Sequence, residues 1–191
     1  MHIRSEEEME AFGQRITRLL LLRQSSALRN SDPNGLADVK KASVLALVGE
    51  LGAGKTTFMR GVAKGLGITR KITSPTFVLA RRYRIPSHKP YAVSYKATKK
   101  SIKACSLQPT AGYKWLWHFD WYRLRNAHDL EELGFREILG DPHAIVAIEW
   151  ADRVANALPK NAKWLFFGHR AHERNVVVKN LKSAHPSIDS G

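Results

Sequence analysis

The chain has 191 residues, 43% of them hydrophobic, which suits one domain with a real core and excludes wholesale disorder. Thirty-one Lys and Arg face seventeen Asp and Glu, and a net charge of +14 favours polyanions as partners. The longest apolar runs, Leu19–Leu22 and Ile145–Ile148, are too short to span a bilayer, and the acidic start MHIRSEEEME does not read as a signal peptide. The single cysteine, Cys105, allows no internal disulfide, so the expectation is a cytoplasmic protein with no membrane partner.

In chain order, Glu6–Arg23 is predicted as an amphipathic helix, with Met9, Phe12, Ile16, Leu19 and Leu20 at helical spacing and Ser5 as its N-cap. Residues 25–41 have a loop composition around Asn30-Ser31-Asp32-Pro33-Asn34-Gly35. Ser43–Val48 is a short apolar run rich in Val and Leu, as in a buried strand. A glycine-bearing loop follows, then a helix over Thr56–Gly65. Thr76–Tyr83 and Lys114–Phe119 read as strands, Asp129–Leu139 as a helix and Ala144–Ile148 as a second buried strand. Trp164–Gly168 and Asn175–Lys179 suggest a closing hairpin around His169–Arg174. The order predicts an α/β fold, a single domain over 1–182 with a largely parallel sheet. A basic insertion at about 84–113 and a flexible tail at 183–191 complete the predicted organisation.

The strongest motif is Gly49-Glu50-Leu51-Gly52-Ala53-Gly54-Lys55-Thr56, which fits G-x-x-x-x-G-K-[ST] in full. Its context is right, with a strand before it and a helix after it. Small residues let successive backbone N–H groups turn inward around phosphate oxygens, and the helix N-terminus adds positive potential. Lys55 is expected on the β- and γ-phosphates of ATP and Thr56 on Mg2+, with Thr57 closing the loop. Such a site needs acids at the ends of neighbouring strands, and Asp120 and Glu149 are the two candidates. One would serve Mg2+ and the other would orient the attacking water. Thr73-Ser74-Pro75-Thr76-Phe77 is a candidate switch loop, with Thr76 among its nucleotide-facing hydroxyls. Trp150, next to Glu149, is expected to line the nucleotide site, whereas the other tryptophans read mostly as core.

Other chemistry-bearing residues assemble into no pattern. The histidines, His169-x-x-His172 included, lack partner ligands and read as surface residues. Cys105 has no nucleophile pattern around it. No clear arginine finger accompanies the loop. Arg123 and Arg153 are the candidates, and both read equally well as ion-pair partners, so hydrolysis is expected to be slow in the lone protein and stimulated by a partner.

Taken together, GELGAGKTTF at 49–58, SPTF at 74–77, HFDWYRL at 118–124, EELGF at 131–135 and IEWADR at 148–153 resemble the TsaE family in order, as does GQRI in the first helix. TsaE proteins are the bacterial ATPases required for threonylcarbamoyladenosine formation in tRNA. The resemblance implies a single three-layer P-loop NTPase domain with a mixed, largely parallel sheet, ATP and Mg2+ as ligands, and the TsaB–TsaD transferase pair as partner, which the ATPase would bind and reset between turnovers. It assigns Lys55 and Thr56 the P-loop roles, Glu149 the Mg2+-side acid and Asp120 the acid needed for hydrolysis. Two stretches depart from the family pattern, about 86–112 and about 28–40, both longer than usual. A small-molecule P-loop kinase is the competing reading, since GAGKTT also opens such enzymes. It expects an arginine-bearing lid late in the chain, and here the arginines precede the second strand.

The segment from Arg81 to Lys114 holds nine Lys and Arg and no acid, interleaved with Tyr83, Tyr91, Tyr95 and Tyr113. Cations neutralise phosphates and rings stack on bases, so this segment is a candidate tRNA contact. A solvated excursion between two strands is the bland alternative. The segment's place in the chain, between the switch loop and Asp120, is an argument for coupling to the nucleotide.

Overall fold

The computed structural model describes residues 1–29, 41–75, 78–86, 112–123, 128–170 and 173–180. Most of the basic insertion with Cys105, the loop core at 30–40, Thr76 and Phe77, His172 and the tail lie outside the described residues.

A two-residue strand, β1 (His2–Ile3), leads into helix α1 (Glu6–Arg29). Ser5 and Glu8 both cap the amino end of α1. Ser5 Oγ accepts from Glu8 N at 3.2 Å, and Glu8 Oε2 accepts from Arg4 N at 2.8 Å. Met9, Phe12, Ile16 and Leu20 are buried, but Leu19 is 56% exposed, because it falls on the flank of the apolar stripe. The helix also runs past Arg23 into the stretch read as loop.

Strand β2 (Ser43–Val48) and helix α2 (Lys55–Gly65) flank the glycine loop. β3 (Ala80–Arg84) begins later than Thr76. Leu79 has φ 59°, and Val78 N donates to Pro75 O at 2.8 Å, so the chain is still turning there. β4 is Trp115–Asp120. The single helix predicted at 129–139 is two, α3 (His128–Glu132) and α4 (Phe135–Gly140), because Gly134 takes φ 63° between them. β5 (Ala144–Glu149) is buried throughout and leads into a 3-10 helix over Ala151–Ala157. β6 (Lys163–Arg170) and β7 (Glu173–Asn180) form the expected antiparallel hairpin.

The seven described strands form one sheet in the order β1-β7-β6-β2-β5-β4-β3. β6, β2, β5 and β4 are mutually parallel neighbours, and antiparallel strands close both flanks, giving the mixed sheet expected. Alternation sorts each strand into two cores. Leu45, Leu47, Leu116, Ile145 and Leu165 face α1 and α2. Val44, Ala46, Phe119, Val146, Ile148 and Trp164 face α3, α4 and the 3-10 helix. The result is three layers. No described helix is long and apolar enough to cross a membrane.

The topology corrects the positional argument for the insertion. β3 runs antiparallel to β4, with Ala80 opposite Phe119 and Arg84 opposite Trp115. Ile85 N then donates to Lys114 O at 2.9 Å. Both ends of the insertion therefore root at the amino end of β4, and Asp120 lies at its carboxyl end. Five strand residues separate them by about 17 Å. Neighbours in sequence stand at opposite ends of the sheet.

Candidate functional site

In a parallel sheet the carboxyl ends of the strands point to one edge, where ligands bind in open α/β folds. β2, β5 and β4 deliver Gly49, Glu149 and Asp120 to that edge. Glu149 is level with Leu47 on one side and Asp120 on the other. Both carboxylates are 3% exposed.

The loop between β2 and α2 is held open by its glycines. A Cβ on Gly49 (φ 151°) would sit 2.4 Å from the carbonyl oxygen of Phe167 on β6, so only glycine fits. Gly52 and Gly54 have φ 80° and 97°, and Gly54 caps α2. Ala53 is buried, and its N–H donates to Glu50 O at 3.2 Å. The side chains of Glu50 and Leu51 are exposed on the outer rim, Leu51 by 89%, so only their backbone faces inward. Thr57 is buried under the first turn of α2.

Lys55 opens α2. Its ammonium donates to Gly49 O at 2.5 Å and Glu50 O at 2.8 Å and lies 4.3 Å from the ring centre of Trp150. Burial pushes its pKa below the usual lysine range, and the charges of Glu149, Asp120 and Asp152 pull it back up. Thr56 Oγ1 donates to Glu149 Oε1 at 3.1 Å. A hydroxyl and a carboxylate in contact are hard oxygen donors of the kind Mg2+ takes, so the residues present fit that ion. Asp120 accepts from Tyr122 N at 3.0 Å and from Ser74 Oγ at 2.6 Å, which ties the candidate switch loop to this carboxylate.

Trp150 stands in the left-handed region, φ 60°, at the turn out of β5, with Tyr122 5.2 Å away. The Arg153 guanidinium lies over both rings and donates to Tyr122 O at 2.5 Å, which brings one arginine candidate to the rim. Arg123 is exposed next to Tyr122.

Comparison with known proteins bears on what this edge is for. The chain matches the family model described as Threonylcarbamoyl adenosine biosynthesis protein TsaE over residues 3–176. The chain belongs to the TsaE family. It is 30% identical over 152 residues to the tRNA threonylcarbamoyladenosine biosynthesis protein TsaE of Haemophilus influenzae, covering 76% of this chain and 79% of the relative. The protein of the same name from Treponema pallidum is 34% identical over 122 residues, covering 64% and 70%. The crystal structure of Bacillus subtilis YdiB superposes with a TM-score of 0.53 at 24% identity, covering 92% of this chain and 80% of that one, and shares its fold.

Within that TsaE fold, HFD and IEW end adjacent strands, so the two motifs meet in space 29 residues apart in sequence. Three residues at the site, His118, Tyr122 and Asp152, escaped the sequence reading. His118 is fully buried, and its Nε2 lies 2.9 Å from Glu149 Oε1. The alternation of WLWHFD held the signal, since His118 shares the face of Asp120 two positions on. Asp152 acts on Lys55 through space from the 3-10 helix, and no spacing rule pointed to it.

Proposed function

We propose that this protein is an ATPase of tRNA threonylcarbamoyladenosine biosynthesis that acts with the TsaB–TsaD transferase pair. The observation that carries the reading is the convergence of Lys55, Thr56, Glu149 and Asp120 from three strand ends on the glycine loop.

The loop's backbone N–H groups and the start of α2 cradle the phosphates. Lys55 exchanges its two carbonyl partners for β- and γ-phosphate oxygens. Its long side chain makes that exchange easy, and the nearby carboxylates keep it charged. Thr56 and Glu149 would hold Mg2+, which would neutralise phosphate charge. His118 fixes the Glu149 carboxylate from the buried side. Asp120, oriented by Tyr122 N and Ser74, positions the attacking water and accepts its proton. Trp150 and Tyr122 line the open side of the site, where a partner would complete it.

Hydrolysis by the lone protein is slow on this reading, because Arg153 is held against Tyr122 and Trp150 rather than against the loop. A group supplied from outside to the transferring phosphate is worth about a thousandfold or more. The test is ATP turnover with and without TsaB–TsaD and tRNA. Strong stimulation supports the reading, and fast turnover unchanged by the pair would overturn it. The family match favours this reading over a small-molecule kinase, and adding candidate acceptors to the same assay separates the two.

A further inference from the structure

The outer strand of the sheet carries a second surface, remote from the glycine loop. Among the described residues β3 is the terminal strand, paired on one side only. Its pleat sends Tyr83 into the core beside Leu116, and Arg82 and Arg84 to the opposite face. On that face Arg82 is level with Trp117 and Arg84 with Trp115. The Arg82 guanidinium lies 4.4 Å from the ring centre of Trp115 and 5.4 Å from that of Trp117, and Arg84 lies 5.9 Å from Trp115. Both indoles are part-exposed and both arginines exposed. Phe119, next along the same row, is buried under Phe135. The row thus passes from core to open surface as it leaves the phosphate end.

We propose that this Arg82–Arg84–Trp115–Trp117 face is a docking surface for single-stranded RNA. A guanidinium resting on an indole is held in place and desolvated on one side. It keeps its N–H edge for phosphate oxygens, and its plane can stack on a base. Part-exposed indoles on a sheet offer the flat, sequence-tolerant platform that unpaired bases use. Duplex RNA hides its base faces and gains only the charge. Charge complementarity is strong, because no acid occurs between Arg81 and Lys114 and the whole chain carries +14. An acidic protein would also answer the charge, but the paired indoles favour bases. The surface covers Trp115 to Trp117 of β4, about 10–17 Å along the strand from Asp120. Its occupancy does not depend on the ATPase reading.

The test is fluorescence anisotropy of the full chain with a labelled 12-nucleotide oligouridylate RNA across a salt series. Arg82→Gln with Arg84→Gln is expected to weaken binding at least tenfold and to lower the log–log salt slope by about 1.4, two contacts at about 0.7 each. The control, Arg70→Gln with Lys71→Gln, removes two exposed cations elsewhere and is expected to leave affinity and slope near wild type. Trp115→Phe with Trp117→Phe should weaken binding severalfold without changing the slope, which separates stacking from charge. Arg82→Lys with Arg84→Lys keeps the charge and should fall between wild type and the Gln pair. ATP hydrolysis without RNA should be the same in all four. Unchanged binding in the Gln pair, an equal loss in the control pair, or equal competition by a 12-base-pair RNA duplex would each overturn the proposal. So would loss of TsaB–TsaD binding with RNA binding intact, which would make this a protein-docking face.

Discussion

Two lysines show how differently the ends of one sheet are built. Lys55 stands beyond the carboxyl end of β2, and Lys163 at the amino end of β6. Burial lowers the pKa of both. Around Lys55 three carboxylates, Glu149, Asp120 and Asp152, partly offset that effect. Around Lys163 the next influence is Arg23, which lowers it further. Among the described residues at that amino end, one polar contact joins two neutral hydroxyls and another closes a turn. Tyr113 OH meets Ser43 Oγ at 2.5 Å, and Asp141 Oδ1 accepts from His143 N at 2.8 Å. A buried cation among carboxylates is the pattern that functional sites favour, whereas a part-buried cation beside another cation is a cost of folding.

Lys55→Ala should break the contrast most severely. It removes the one side-chain cation of the loop, and ATP binding and turnover should fall by about a thousandfold or more. A thermal melt would show the fold intact, and near-normal turnover would refute the assignment. Asp120→Ala and Glu149→Ala come next. Each should lower hydrolysis by about 100- to 1,000-fold while a fluorescent ATP analogue still binds, because backbone N–H groups supply most phosphate contacts. Only Glu149→Ala should weaken the Mg2+ dependence, and the reverse pattern would exchange the two roles.

A pH titration should show a severalfold effect at the Lys55 end. Bound phosphate holds the Lys55 proton more tightly than the free protein does, so ATP affinity should decline as pH rises through the free-protein pKa. That decline should begin below the ordinary lysine range, since burial lowers the group. Affinity that is flat up to that range would contradict it. Gly49→Ala tests the backbone beneath the same loop. Its methyl must displace the Phe167 carbonyl, at a cost of about 1–3 kcal/mol, read as a fall of several degrees in Tm. The smallest effect belongs to the other end. Lys163→Met should leave ATP turnover unchanged and raise Tm slightly at neutral pH. The wild-type penalty is fully present below the folded pKa of Lys163 and fades as pH rises through it, because the unfolded chain holds its proton more tightly there. A drop in turnover would show that the two ends are coupled.

The sequence by itself determined the elements whose signals are local. Ser43–Val48 followed by GELGAGKT sets a buried strand, a loop that only glycines permit and a helix start, because apolar runs, φ above zero and capping are properties of neighbouring residues. The same locality explains the misses. Gly134 divides a helix that periodicity joins, Leu79 delays β3, and Leu19 turns outward by one position on the stripe. Tertiary structure alone decided what meets what. Asp120 and Glu149 are level because β4 and β5 pair in parallel, and His118 reaches Glu149 only through that register. Strand direction placed the roots of the basic insertion at the opposite end from Asp120, although the two are close in sequence. Register and direction are set by the summed packing of two cores, to which every strand contributes, so no window of sequence contains them.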